Sequence, residues 1–172
     1  MELGQPGELL VKGPQVFKGY WNMPEETKKS LTDDGWLRTG DIVEQDDEGF
    51  MKVVDRRKEL IITGGFNVAP TEVEQVLIKA PGIAEAAVVG IARGSSGAES
   101  ITAAVVLEEG ATFDEEATRE FARTHLADYK VPRSYVVWDE LPKSLIGKIL
   151  RRQVRETLQK NPKATRAESA ED

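Results

Sequence analysis

Cysteine is absent from this 172-residue sequence. That excludes disulfides, thiolate zinc sites and cysteine nucleophiles. Histidine occurs once, at His125, so a Ser–His hydrolytic pair would have a single imidazole to draw on. Phe121, His125, Leu126 and Tyr129 fall on one side of a helical wheel, and a packed or half-buried core position is the expected role for that imidazole. No apolar run reaches the ~20 residues of a membrane-spanning helix. Met1-Glu2-Leu3-Gly4 carries no secretory pattern. A soluble, cytoplasmic protein is the expectation, with peripheral membrane contact left open. Aromatic residues are only 6% of the chain and do not interleave with its basic stretch, which argues against a stacking platform for nucleic acid.

Charge, by contrast, is plentiful and unevenly placed. The formal net charge is −7. The stretch from Lys143 to Arg166 nevertheless holds eight basic residues and one acidic residue, Glu156, leaving −14 for the remainder. A solvated basic helix is the plain explanation; a cation delivered to a phosphate is the functional one.

Along the chain, Glu8–Lys12, Trp36–Val43 and Gly49–Val54 read as strands with tight corners, the last two joined by the acidic turn Glu44–Glu48. Pro24–Leu31 reads as a short helix. This part has few helices to cover a sheet and looks like the edge of a larger domain. After Asp55-Arg56-Arg57-Lys58-Glu59 the pattern changes. Leu60–Thr63, Gly64-Gly65 and Phe66–Val68 read as a hairpin, since glycine accepts the positive φ of a two-residue turn. Pro70 suits the first turn of a helix whose stripe is Val73, Val76, Leu77 and Ala80, ended by Pro81-Gly82. Glu72 and Glu74 suit the positive end of that helix. Ala86–Ile91 and Ile101–Leu107 read as buried strands about a Gly/Ser-rich connection, Arg93–Ser100. Thr112 and Glu115 read as a capping box for a helix ending near Tyr129. Tyr135–Trp138 reads as a third strand and Leu150–Lys160 as a basic helix. Asn161–Asp172 reads as a disordered polar tail. The fold class expected is α+β: a β-rich segment (1–57), then a small α+β domain (58–160) with a hairpin, a three-stranded sheet and helices.

Thr39-Gly40-Asp41 places a carboxylate at a glycine corner between β segments, where it can accept hydrogen bonds from two ribose hydroxyls; alone, a turn aspartate is the simpler reading. Gly147-Lys148 invites comparison with a phosphate-binding loop, but Pro142 stands where that motif needs glycine and Ile149 where it needs a hydroxyl. The segments taken in order say more. Gly7-Glu8-Leu9 through Gly19-Tyr20 and Pro24 comes first, followed by Gly35-Trp36 through Asp41 and by Asp55–Ile61. Gly64-Gly65-Phe66-Asn67-Val68-Ala69-Pro70 with Glu72 and Glu74 comes next, and Pro142 through Gly147-Lys148-Ile149-Leu150-Arg151-Arg152 closes the series. From about Gly4 to Leu158 this order and spacing resembles the adenylate-forming superfamily of acyl-CoA synthetases, luciferases and nonribosomal-peptide adenylation domains. The run Lys58–Pro70 looks most like fatty acyl-CoA ligases.

The resemblance implies ATP, CoA and a carboxylic (fatty) acid as substrates, with Mg2+ held by protein outside this chain. It implies that Asp41 binds the ribose of ATP, with Arg56 assisting at ribose or phosphates. Lys58 would be the hinge, Gly65 would line the pantetheine channel, and Lys148 would bridge the carboxylate and the α-phosphate during adenylation. No metal ligand is expected among these residues. Ile62 stands where luciferases and coumarate-CoA ligases carry a lysine, a departure that argues against those branches. The superfamily's phosphate loop, adenine pocket and acyl tunnel precede the point where this sequence begins, so a C-terminal fragment is expected. An adenylation domain that loads a carrier protein, and a nucleic-acid-binding module, are the alternatives weighed.

Overall fold

A computed structural model describes residues 4–92 and 98–160; the tail 161–172 and most of the Gly/Ser-rich connection lie outside the described residues. The chain divides into two compact units, Met1–Lys58 and Glu59–Asp172.

The first unit is a three-stranded antiparallel sheet, β1 (Gly7–Val11), β2 (Leu37–Gln45) and β3 (Met51–Arg56), in the order β1-β2-β3. Helix α1 (Pro24–Ser30) begins with proline and carries Glu25 and Glu26 in its first turn and Lys28 and Lys29 in its last, the polarity that its dipole favours. The β2–β3 turn closes on Asp46, whose carboxylate accepts from the amides of Glu48 (3.1 Å) and Phe50 (2.8 Å).

The second unit is built on the sheet β6 (Ile83–Ala92), β7 (Glu99–Leu107) and β8 (Ser134–Val137), with β6–β7 antiparallel and β7–β8 parallel. Both faces are covered, which is why the strands read as continuous apolar runs rather than alternating ones. On one face Ala86, Val88, Ile101, Ala103, Val105 and Tyr135 meet Ile61 and Val68 of the hairpin β4 (Ile61–Thr63)/β5 (Phe66–Val68). They also meet Val73 and Leu77 of α2 (Pro70–Leu77) and Ala122 of α3 (Glu115–His125). On the other face Ala87, Val89, Ala104 and Val136 meet Leu141 and Val154 and Leu158 of α4 (Arg151–Lys160).

Helix α3 differs from the sequence reading at both ends. Its N-cap is Asp114, whose carboxylate accepts from the Ala117 amide at 2.9 Å, rather than Thr112. It stops at His125, because Leu126 is extended, and Tyr129 sits in a separate 3-10 turn, Asp128–Lys130. His125 is therefore exposed rather than packed in the core. Its ring stacks on Phe121 (centroids 4.3 Å) and its Nδ1 lies 2.8 Å from the Phe121 carbonyl oxygen and from Thr124 Oγ1.

Candidate functional site

In the first unit, Thr39-Gly40-Asp41 lies inside β2 rather than between strands. The β1–β2 register slips there, Glu8 facing Ile42 and Leu10 facing Arg38, so the strand bulges. Gly40 takes φ +73, a left-handed conformation that costs glycine nothing. Thr39 braces the bulge: its hydroxyl donates to the Leu9 carbonyl (2.9 Å) and accepts from the Asp41 amide (3.1 Å). Asp41 and Arg56 are register partners on β2 and β3, and Arg56 Nε lies 2.6 Å from Asp41 Oδ1. The two residues, fifteen positions apart in the sequence, thus meet as one ion pair. Beside them a groove of about 500 Å3 is lined by Glu8, Tyr20, Arg38, Thr39, Arg56 and Lys58, among others. Glu8 holds two of its neighbouring cations, Arg38 Nη1 at 3.6 Å and Arg57 Nη1 at 3.1 Å. Such a concavity offers several cations for phosphate oxygens, with the Asp41 carboxylate reached through its partner Arg56 rather than lining the groove itself.

Lys58, the last residue of that unit, is exposed within the 3-10 turn Arg57–Glu59.

In the second unit, Gly64 (φ +57) and Gly65 (φ +84) form the two-residue turn of the β4–β5 hairpin, both left-handed. Gly65 is exposed, and a Cβ placed on it would meet nothing within 4 Å, so the space beside it is open. Ile62, on the same hairpin, is also exposed.

Lys148 follows the tip of a tight loop closed by a bridge between Lys143 and Ile149. Ser144 braces this loop twice: its amide donates to the Lys148 carbonyl (2.8 Å) and its hydroxyl accepts from the Lys148 amide (3.1 Å). Gly147 turns the tip with φ +77. The basic stretch around Lys148 is largely neutralised. Lys143 pairs with Glu85 (2.7 Å), Arg152 with Glu156 (2.8 Å), Arg155 with Glu99 (3.1 Å), and Arg151 with both Glu59 and Glu74 (2.5 Å each). Lys148 alone among the described cations from Lys143 to Arg155 has no carboxylate partner among the described residues.

Sequence reasoning treated Glu74 as a helix-terminus residue, did not single out Glu59 or Glu99, and left Arg151 within a motif. Their network joins residues up to 92 positions apart, and no local pattern signals it.

Residues 72–148 match the AMP-binding enzyme C-terminal domain. The long-chain-fatty-acid–CoA ligase of Bacillus subtilis is 51% identical over 90% of this chain, and that of Escherichia coli O6:H1 is 50% identical over 89%. Residues 72–148 thus carry the C-terminal domain of the AMP-binding enzymes. The solved structure of ATP-bound MatB from Rhodopseudomonas palustris, 42% identical, superposes with a TM-score of 0.83 over 92% of this chain and 31% of that one. The chain spans only 27–28% of the length of the two ligases. Its mixed α+β fold is that of this family's C-terminal region.

Proposed function

We propose that the enzyme carrying this chain is an ATP-dependent carboxylate–CoA ligase acting on fatty acids in the cytoplasm. The observation that carries the reading is the isolation of Lys148. Its ammonium stands exposed on a braced loop, unpaired among the described residues, while the other cations from Lys143 to Arg155 are held by carboxylates.

In the first half-reaction the substrate carboxylate attacks the α-phosphorus of ATP, the bond to the β-phosphate oxygen breaks, and acyl-AMP and pyrophosphate result. Negative charge grows on the phosphoryl oxygens, and a preorganised ammonium there is stabilising. Asp41 accepts from the ribose hydroxyls, and Arg56, already beside it, supplies charge toward the phosphates. In the second half-reaction the small unit turns about Lys58, withdraws Lys148 and presents the open space at Gly65 to the pantetheine arm. The CoA sulfur then displaces AMP at the acyl carbon. Among the described residues no three carboxylate, imidazole or thiol groups gather to hold a cation, and no step assigned to this chain uses the Mg2+ that accompanies ATP.

Relatives named as CoA ligases favour CoA over a carrier protein as the acceptor. The two half-reactions, measured separately in a protein of the relatives' length, test the proposal. Lys148→Ala lowers acyl-AMP formation by roughly 10²–10³ and spares thioester synthesis from preformed acyl-AMP and CoA. Lys58→Pro, with φ fixed at the turn, spares adenylation and blocks thioester synthesis. Equal loss of both halves in each variant refutes the alternation.

A further inference from the structure

We infer that Arg151 is a positioning residue that locks the Lys148 loop to the segment directly after Lys58, so that rotation at the hinge carries Lys148 with it. The inference rests on the role proposed above for Lys148.

Arg151 opens α4, three residues after Lys148, and its guanidinium ties two distant pieces of chain to that helix, the Arg57–Glu59 turn and α2. Nη1 donates to Glu59 Oε2 at 2.5 Å. Nε and Nη2 donate to the two oxygens of Glu74 at 2.7 and 2.5 Å, and Nη2 also donates to Thr71 Oγ1 at 2.7 Å. This is the two-toothed geometry that arginine makes with carboxylate and that lysine cannot reproduce. The groups are largely enclosed: side-chain exposure is 19% for Arg151, 14% for Glu74 and 29% for Glu59. Glu74 is itself fixed from the sheet, because its Oε1 also accepts from the Val88 amide at 2.9 Å. One turn along α4, Arg155 donates to Glu99 at 3.1 Å, and Glu99 accepts from the Ile62 amide of the glycine hairpin at 3.0 Å.

Glu59 is the first residue of the second unit. The tie between it and Arg151 short-circuits 92 residues of chain, from the segment after the hinge to the helix that follows the lysine loop. The loop is joined to that helix by a backbone bond from the Leu150 amide to the Pro142 carbonyl (2.8 Å). Beyond Glu59 the next anchors are the buried Ile61 and the Ile62 amide held by Glu99, so the Glu59 tie is the one that reaches from the hinge turn to the helix after the lysine loop. A slack of even 1 Å in a reacting geometry costs about 10²-fold in rate.

Glu59→Gln removes the charge while keeping the shape, and leaves the Arg151–Glu74 pair to hold the fold. Arg151→Lys keeps the charge and loses the fork. In the 172-residue chain, Glu59→Gln is expected to raise hydrogen exchange at the Arg57–Leu60 and Gly147–Ile149 amides about tenfold. Exchange in β6 and β7 stays unchanged. A uniform rise over the whole unit, or none, overturns the inference, since either makes the tie an ordinary stabilising contact or an idle one. In the longer enzyme, both variants lower kcat for acyl-AMP formation about 10²-fold with KM for ATP unchanged. In a Lys148→Ala background, Glu59→Gln causes no further loss. Multiplying losses overturn the inference and leave the Lys148 reading standing. A Lys148→Ala enzyme that still adenylates at full rate overturns the Lys148 reading, and this inference with it.

Discussion

Replacing Gly90 by alanine tests whether Glu99 holds the second unit together. Gly90 lies in β6 opposite Ile101, and the missing side chain makes room for a neighbour. A Cβ on Gly90 would sit 2.5 Å from Glu99 Oε2 and 2.6 Å from its carboxyl carbon. The carboxylate ends a flexible side chain, so it moves aside, and the cost is the bonds it gives up. Those are the Ile62 amide at 3.0 Å and Arg155 Nη2 at 3.1 Å. A hydrogen bond to a charged acceptor contributes about 1.5–3 kcal/mol. The ion pair adds about 0.5 kcal/mol, since Arg155 is 34% exposed. Alanine in a strand returns about 0.5–1 kcal/mol over glycine. The net expectation is a destabilisation of about 1–3 kcal/mol. Urea unfolding followed by Trp138 fluorescence, with Trp21 and Trp36 replaced by phenylalanine, reads the second unit alone. In a Glu99→Ala background the same glycine replacement becomes neutral or stabilising. A Gly90→Ala variant as stable as its parent refutes the reasoning, because the displaced bonds would then carry nothing.

Tyr135 is fully buried, its hydroxyl has no hydrogen-bond partner among the described residues, and burial pushes its pKa up from 10.0 to about 12, against the lowering effect of Arg119. The folded pKa lies above the unfolded one, so this contribution to stability is intact below pH 10 and is lost as pH rises toward 12. Tyr135→Phe should flatten the fall in urea midpoint across that window and gain up to about 1 kcal/mol at neutral pH by removing an orphan hydroxyl; an unchanged alkaline slope counts against it. Asp114→Ala should cost about 1 kcal/mol through loss of the α3 cap, whereas Thr112→Ala should change the unfolding midpoint little; the reverse order would restore Thr112 as the cap. Asp41→Ala in a protein of the relatives' length should raise KM for ATP, since each ribose hydroxyl bond to a carboxylate contributes about 1.5–3 kcal/mol; an unchanged ATP dependence removes Asp41 from the site.

What the sequence made legible is what local chemistry decides. Gly64-Gly65 announced a turn because two successive left-handed residues are cheap only for glycine, and the turn is there with φ +57 and +84. The strands β6 and β7 were legible as apolar runs because helices, hairpin and loop cover both faces of their sheet. Where two local signals competed, the sequence misled. Thr112 and Asp114 are both capping residues, and the helix took the carboxylate nearer its first turn. The wheel through Phe121, His125 and Tyr129 continued past a helix end that no glycine or proline marks. Gly40 looked like a corner between strands because a left-handed glycine serves a turn and a bulge equally well; only pairing on both sides of β2 makes it a bulge.

The candidate site divides along the same line. Asp41, Gly65 and Lys148 each sit on a backbone feature that the sequence wrote locally: a bulge, a two-glycine turn and a braced loop. What holds the last two of those features in register, within the second unit, is not local at all. Arg151 reaches Glu74 across 77 positions and Glu59 across 92, and Glu99 reaches Ile62 across 37. A glutamate reads as solvated charge until what packs behind it is known, and Glu59, Glu74 and Glu99 are each less than a third exposed. Backbone features that could carry a reactive group can therefore be found by motif, while the residues that brace them become visible only once distant segments are folded together.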